Sequence, residues 1–178
     1  MQENDGLAPE TEAEEIDSPR TALSVFMLFA ALITVFGIAI FGGTITATSV
    51  NDWYPGLVKP AFTPPGWVFP IVWNLLYFLM ALAAWLVWLK AGSLKNAGAP
   101  LSLFGSQLML NLGWSVLFFG LQSPGGALIE VLVLLLVVAV TTVTFFRRSP
   151  LAGILMSPYL AWVGFASYLN AGVWLLNG

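Results

Sequence analysis

The chain has 178 residues, of which 58% are hydrophobic and only 8% charged, with a formal net charge of −3. A soluble domain carries about 25% charged residues, so this composition excludes a water-soluble monomer and requires lipid to cover most of the surface. The lack of Cys and His excludes disulfides, thiol or imidazole catalysis, and metal or haem ligation through those side chains.

The first segment carries most of the acid: seven of the nine acids are Glu3, Asp5, Glu10, Glu12, Glu14, Glu15 and Asp17. With Pro9 and Pro19, residues 1–20 read as an acidic, disordered tail that needs no partner. So much acid excludes a secretory signal or a mitochondrial transit peptide.

A bilayer core needs about 20 apolar residues per helix. The first such run is Ala22 to about Ala47, followed by a loop from about Thr48 to Gly66 that holds Pro55, Pro60, Pro64 and Pro65. The second is Trp67–Leu89, with Pro70 in its first turn, where a missing N–H costs little. A loop containing Lys95, Asn96, Gly98 and Pro100 leads to the third run, Leu101–Leu121. Ser123-Pro124-Gly125-Gly126 reads as a tight turn before the fourth, Ala127–Phe146. Arg147-Arg148-Ser149-Pro150 closes it, and the fifth runs from Leu151 to Leu176, with Pro158 inside it as a predicted kink.

The predicted fold is therefore all-α, an integral membrane bundle of five transmembrane helices over residues 21–178. No internal repeat is visible, which disfavours a transporter built from duplicated halves. Arg20, Lys90, Lys95, Arg147 and Arg148 fall at one end of the spans, and only Lys59 at the other. The positive-inside rule then puts the N-terminus in the cytoplasm and the long first loop and C-terminus outside.

Unusual residues are densest from Trp53 to Tyr77, WYPGLVKPAFTPPGWVFPIVWNLLY. Proline stiffens this loop, so Trp53, Tyr54, Phe62 and Trp67 read either as a lid over the bundle or as an interfacial anchor belt. Trp73 and Tyr77 share a helix face, with Asn74 beside it, and Gln107, Asn111 and Trp114 recur at helical spacing. Amides in hydrocarbon need partners and are expected to face the interior, as glue between helices or as groups that orient a ligand. Tyr159, Val163, Ala166 and Asn170 form one stripe flanked by Trp162, suited either to helix packing or to a flat apolar guest. Glu130 is the one acid deep in an apolar run, readable as a snorkelling interfacial acid or as a buried one paired with a polar group, and the absence of a second intramembrane charge argues against a proton relay or an ion path. Gly105, Met109 and Gly113 stand four apart and favour close helix approach with one interruption.

The chain resembles the translocator protein family, also called tryptophan-rich sensory proteins. The resemblance rests on Trp53-Tyr54, Leu57, Lys59-Pro60, Thr63-Pro64-Pro65, Trp67, Phe69-Pro70, Trp73 and Tyr77. It continues through Gln107, Asn111, Trp114-Ser115, Phe118-Phe119-Gly120 and Pro124, and ends with Pro158-Tyr159, Trp162, Phe165-Ala166, Asn170, Trp174 and Asn177. It implies a five-helix bundle that pairs as a homodimer. It also implies a pocket opening toward the first loop, lined by Trp53, Tyr54, Trp73, Asn111, Trp162 and Ala166. The implied ligand is a porphyrin (protoporphyrin IX or haem) or another flat apolar molecule, held without an obligatory cofactor, a metal or nucleic acid. Two departures stand out: Phe62 replaces the family's usual Trp, and no basic residue follows Tyr168, so the cholesterol motif of animal members is missing.

The expected function is a membrane receptor or sensor that binds tetrapyrroles in a prokaryotic cell membrane. The alternatives are a porphyrin or lipid transporter and a light-dependent porphyrin-degrading activity. With no catalytic residue assigned and no paired carboxylates, ordinary acid–base or nucleophilic chemistry is not expected.

Overall fold

The computed structural model describes residues 18–178, with side chains from residue 21 onward; residues 1–17 of the acidic tail lie outside the described part. Five long helices follow: α1 (Ser18–Ala47), α2 (Val68–Ala91), α3 (Leu94–Ser115), α4 (Pro124–Arg148) and α5 (Pro150–Asn177). All five are long and apolar enough to cross a membrane. No strand occurs among the described residues.

Two boundaries differ from the sequence reading, each for a local reason. α3 begins at Leu94, not Leu101, because Ser93 caps it: the Ser93 hydroxyl accepts from the Asn96 amide at 3.2 Å. The preceding turn shrinks to Gly92-Ser93, where Gly92 closes α2 in the left-handed conformation at φ +70°, which glycine adopts without a Cβ penalty. The segment from Lys95 to Pro100, expected as loop, is helical. Likewise Pro124, expected in a tight turn, is the first residue of α4, where its missing N–H is no loss.

Contacts between helices run in a ring, α1–α2–α5–α4–α3 and back to α1, with α4 and α5 the most closely packed pair. Lipid is as apolar as leucine, so close packing, not escape from water, holds such helices together. Small residues allow it. Ala81, Ala84, Ala127, Ala152 and Gly153 are buried at helix contacts, and Gly153 lies directly beneath the Phe146 ring. The centre is filled by Met80, Val87, Leu108, Val138, Met156 and Tyr159, all essentially inaccessible. α1 is the outlier: Phe26, Ile33 and Ile40 face outward, and only Val35 of its described apolar side chains is fully buried.

At the loop end, α3 passes into a π-helical turn, Val116–Gly120. A π turn inserts an extra residue into the helical register and is frequent at functional sites. Here it turns the adjacent Phe118 and Phe119 both inward.

Candidate functional site

The loop between α1 and α2 is tied down at both ends. On the α1 side, the Ser49 hydroxyl donates to the Phe119 carbonyl at 2.6 Å and accepts from the Gln122 amide at 3.3 Å. On the far side, Val58 N–H donates to Asn177 Oδ1, and Asn177 Nδ2 returns a bond to the Val58 carbonyl, both at 2.9 Å. The Tyr168 hydroxyl donates to the Ala61 carbonyl at 3.0 Å, and Pro60 lies on Gly172 so closely that a Cβ there would stand 2.5 Å from it. The proline-rich segment is thus a strap from the α1–α3 side to the outer half of α5.

Beneath the strap the rings form two layers. The upper layer contains Trp53 and Tyr54. Trp53 meets the edge of Phe118 at 5.7 Å, Tyr54 packs on Phe119 at 5.8 Å, and Trp114 stacks on Phe118 at 5.1 Å. Lys59 Nζ lies 4.8 Å from the centre of the Tyr54 ring, a cation–π distance. Burial raises the Tyr54 phenol above the usual tyrosine range, which keeps it neutral. Phe62 and Trp67, expected in the same cap, are 86% and 68% exposed and point away.

The lower layer contains Trp73 and Asn111. The Tyr77 hydroxyl donates to Asn111 Oδ1 at 2.7 Å, and Asn111 Nδ2 donates to the Tyr159 oxygen at 3.3 Å. Trp73 covers this chain, 5.3 Å from Tyr77 and 6.2 Å from Tyr159. Trp162 joins from α5 through Phe69, at 5.9 Å. Ala166 is one turn beyond Trp162 and half-buried. The layers meet at Trp114, whose indole donates to Asn170 Oδ1 at 2.9 Å, while Asn170 Nδ2 donates to the Pro124 carbonyl at 2.7 Å.

The six expected residues therefore fall in two stacked groups: Trp53 and Tyr54 above, Trp73, Asn111, Trp162 and Ala166 below. The sequence reading omitted Tyr77 and Tyr159 from the site, although they hold both ends of Asn111; their four-residue spacings to Trp73 and Val163 were the available signal. It also omitted Phe118, Phe119 and Phe69. Asn74, expected to face the interior, is exposed and donates to the Pro70 carbonyl at 2.8 Å. A side chain that can satisfy itself on its own helix needs no neighbour.

Two cavities flank these rings without including Trp73, Asn111, Trp162 or Ala166. One of about 270 Å³ lies toward the basic end, among Met27, Ala31, Trp85, Trp88 and Phe104. The other, about 180 Å³, lies at the strap between Trp53, Gln122, Trp174 and Asn177. The rings of the lower layer touch one another, so a guest there must part them. No cluster of acids, His or Cys able to hold a metal occurs among the described residues.

Five apolar spans around an aromatic centre, closed at one end by a tethered strap, define a multi-pass integral membrane protein. A sequence model of the TspO/MBR family matches residues 29–175. The chain is 40% identical to the tryptophan-rich protein TspO of Archaeoglobus fulgidus, over 87% of this chain and 99% of that one. It is 44% identical to the human translocator protein, over 70% and 75% of the two chains. With the tryptophan-rich sensory protein of Cereibacter sphaeroides it shares 41% identity over 71% and 78%. The chain belongs to the TspO/MBR family.

Proposed function

We propose that the protein is a membrane receptor or sensor whose lower aromatic layer, with the strap above it, binds porphyrins and similar flat apolar ligands. The observation that carries this reading is the Tyr77–Asn111–Tyr159 chain lying directly under Trp73. It offers uncharged donors and acceptors beside stacking faces, the combination that orients a flat apolar ligand. Trp162 and Ala166 form the α5 side of the site, and Trp53 and Tyr54 its upper wall. Binding parts the Phe69–Trp162 contact, and the strap, fixed to α5, moves with it.

The family likeness supports pairing as a homodimer. The basic residues at the Lys90, Lys95, Arg147 and Arg148 end support a cell-membrane protein with a cytoplasmic N-terminus. Titration of the detergent-purified protein with protoporphyrin IX, read by tryptophan fluorescence, tests the site. The expected result is saturable quenching that weakens at least tenfold in the double variant Trp73→Ala, Trp162→Ala. Equal quenching by the double variant at equal ligand would remove the proposal.

A further inference from the structure

α1 and α3 meet closely at the strap end and part toward the basic end. Near the strap, a Cβ at Gly42 would stand 3.5 Å from Ser115 Oγ and 3.7 Å from a Leu112 methyl, and one at Gly120 would stand 3.4 Å from an Ile45 methyl. At Gly105, two turns before Leu112, a Cβ would meet nothing within 4 Å. The spacing of Gly105, Met109 and Gly113 therefore brings no helix onto Gly105, while a Cβ at Gly113 would lie 3.6 Å from the Glu130 carboxyl.

The gap left by this splay is the cavity of about 270 Å³. Met27, Ala31 and Thr34 of α1, Trp88 of α2, and Leu101 and Gly105 of α3 are among its walls. Thr34 is exposed and Gly105 half-buried, so the wedge opens sideways between α1 and α3, toward the lipid tails. No charged side chain lines it. The Thr34 hydroxyl is bonded to the Ala30 carbonyl at 2.8 Å, and the Trp85 indole to the Ser24 carbonyl at 3.0 Å.

This lining decides the occupant. A buried water needs two to four polar partners, and the wedge offers few. A neighbouring helix is about 10 Å across with its side chains, too wide to enter. An apolar cavity of about 150 Å³ holds a benzene ring, so the larger wedge takes a slim hydrocarbon chain.

Charge at its mouth adds a second requirement. Lys90, in the last turn of α2, stands two residues beyond Trp88, and Lys95 stands six residues before Leu101. Both are exposed. The only acids in residues 18–178 are Asp52 and Glu130. Asp52 is in the strap loop and Glu130 in the strap-end half of α4, so neither is near these lysines. Basic residues beside a gap between spanning helices suit an anionic lipid headgroup, and their apolar stems can reach from the wall to the interface.

We propose that the wedge between α1, α2 and α3 holds one acyl chain of an anionic phospholipid, whose headgroup lies on Lys90 and Lys95. The site is separate from the aromatic layers and does not depend on the ligand assigned to them.

The full-length protein in nanodiscs of equal phosphatidylglycerol and phosphatidylcholine tests this, with the lipids it retains on release counted by native mass spectrometry. Wild type should keep phosphatidylglycerol over phosphatidylcholine by roughly threefold or more. Gly105→Leu puts a side chain into the wedge where a Cβ has room, and leucine favours helix over glycine. It should unfold no earlier than wild type on heating and lose most of the retained lipid. The double variant Lys90→Gln, Lys95→Gln, changed only at exposed positions, should still retain lipid but without preference between the two headgroups. Retention by Gly105→Leu equal to wild type would overturn the chain site. A change in its share of dimer with retention unaltered would also overturn it, assigning the face to a second copy. Equal retention of the two lipids by wild type would overturn the headgroup site, as expected if the seven acids of residues 1–17 neutralised the lysines instead.

Discussion

The two halves of the bundle are held by different forces. Toward the basic end the helices meet mainly through apolar contact, as where Phe104 stacks on Phe145 at 5.8 Å around inaccessible Val87, Val138 and Met156, with the Trp85 indole of α2 donating to the Ser24 carbonyl of α1 at 3.0 Å. Toward the strap, three inward rings are held by amides from another helix, Tyr77 and Tyr159 by Asn111 and Trp114 by Asn170, and the strap itself is held by Asn177. Dispersion contacts fix a distance and leave rotation loosely set, whereas hydrogen bonds in hydrocarbon fix which atoms face which. One half is built to hold the helices together, and the other to hold particular groups in particular directions.

Substitutions can break this contrast. The largest effect is expected from Gly172→Val, because Pro60 is rigid and its ring atoms leave no room for a side chain. The strap should lift from α5, lowering stability by about 3 kcal/mol and abolishing porphyrin quenching; thermal unfolding in detergent and the fluorescence titration read the two losses. Asn111→Leu keeps the volume but leaves two buried phenols without a partner. A loss of about 2 kcal/mol is expected, again with weakened ligand binding. Phe104→Leu acts only in the basic half. It should cost about 1 kcal/mol from the lost ring pair and leave ligand affinity unchanged. An equal loss of affinity in Phe104→Leu and Asn111→Leu would erase the distinction between the halves.

The same contrast explains what the sequence made legible. The spans could be read because a bilayer demands long apolar runs, and the runs ending in Lys90 and Phe146 marked α2 and α4 to within a few residues. The start of α3 was hidden because Lys95, Gly98 and Pro100 look like loop residues. The Ser93 cap and the side-chain bond from Asn96 back to the Ala91 carbonyl start the helix ahead of them. At the site, Trp73 and Tyr77 could be paired by spacing within one helix. The bond from Tyr77 to Asn111 spans two helices, and the ties of Val58 to Asn177 and Pro60 to Gly172 link residues more than a hundred positions apart. Such pairings depend on how helices are rotated against each other, which no local pattern encodes. Asn74 shows the opposite error: an amide read as inward because hydrocarbon punishes it, yet satisfied by the carbonyl one turn back.

The π turn at Val116–Gly120 has a consequence for how this architecture tolerates length changes. A residue inserted into a helix swings everything downstream by about 100°, and here that swing delivers two neighbouring phenylalanines to the interior. Deleting one residue from the turn would leave a perfectly good membrane-crossing helix of ordinary pitch. It would also rotate the tip of α3 away from Ser49 and Trp53, so that the span survived while its hinge to the cap came undone.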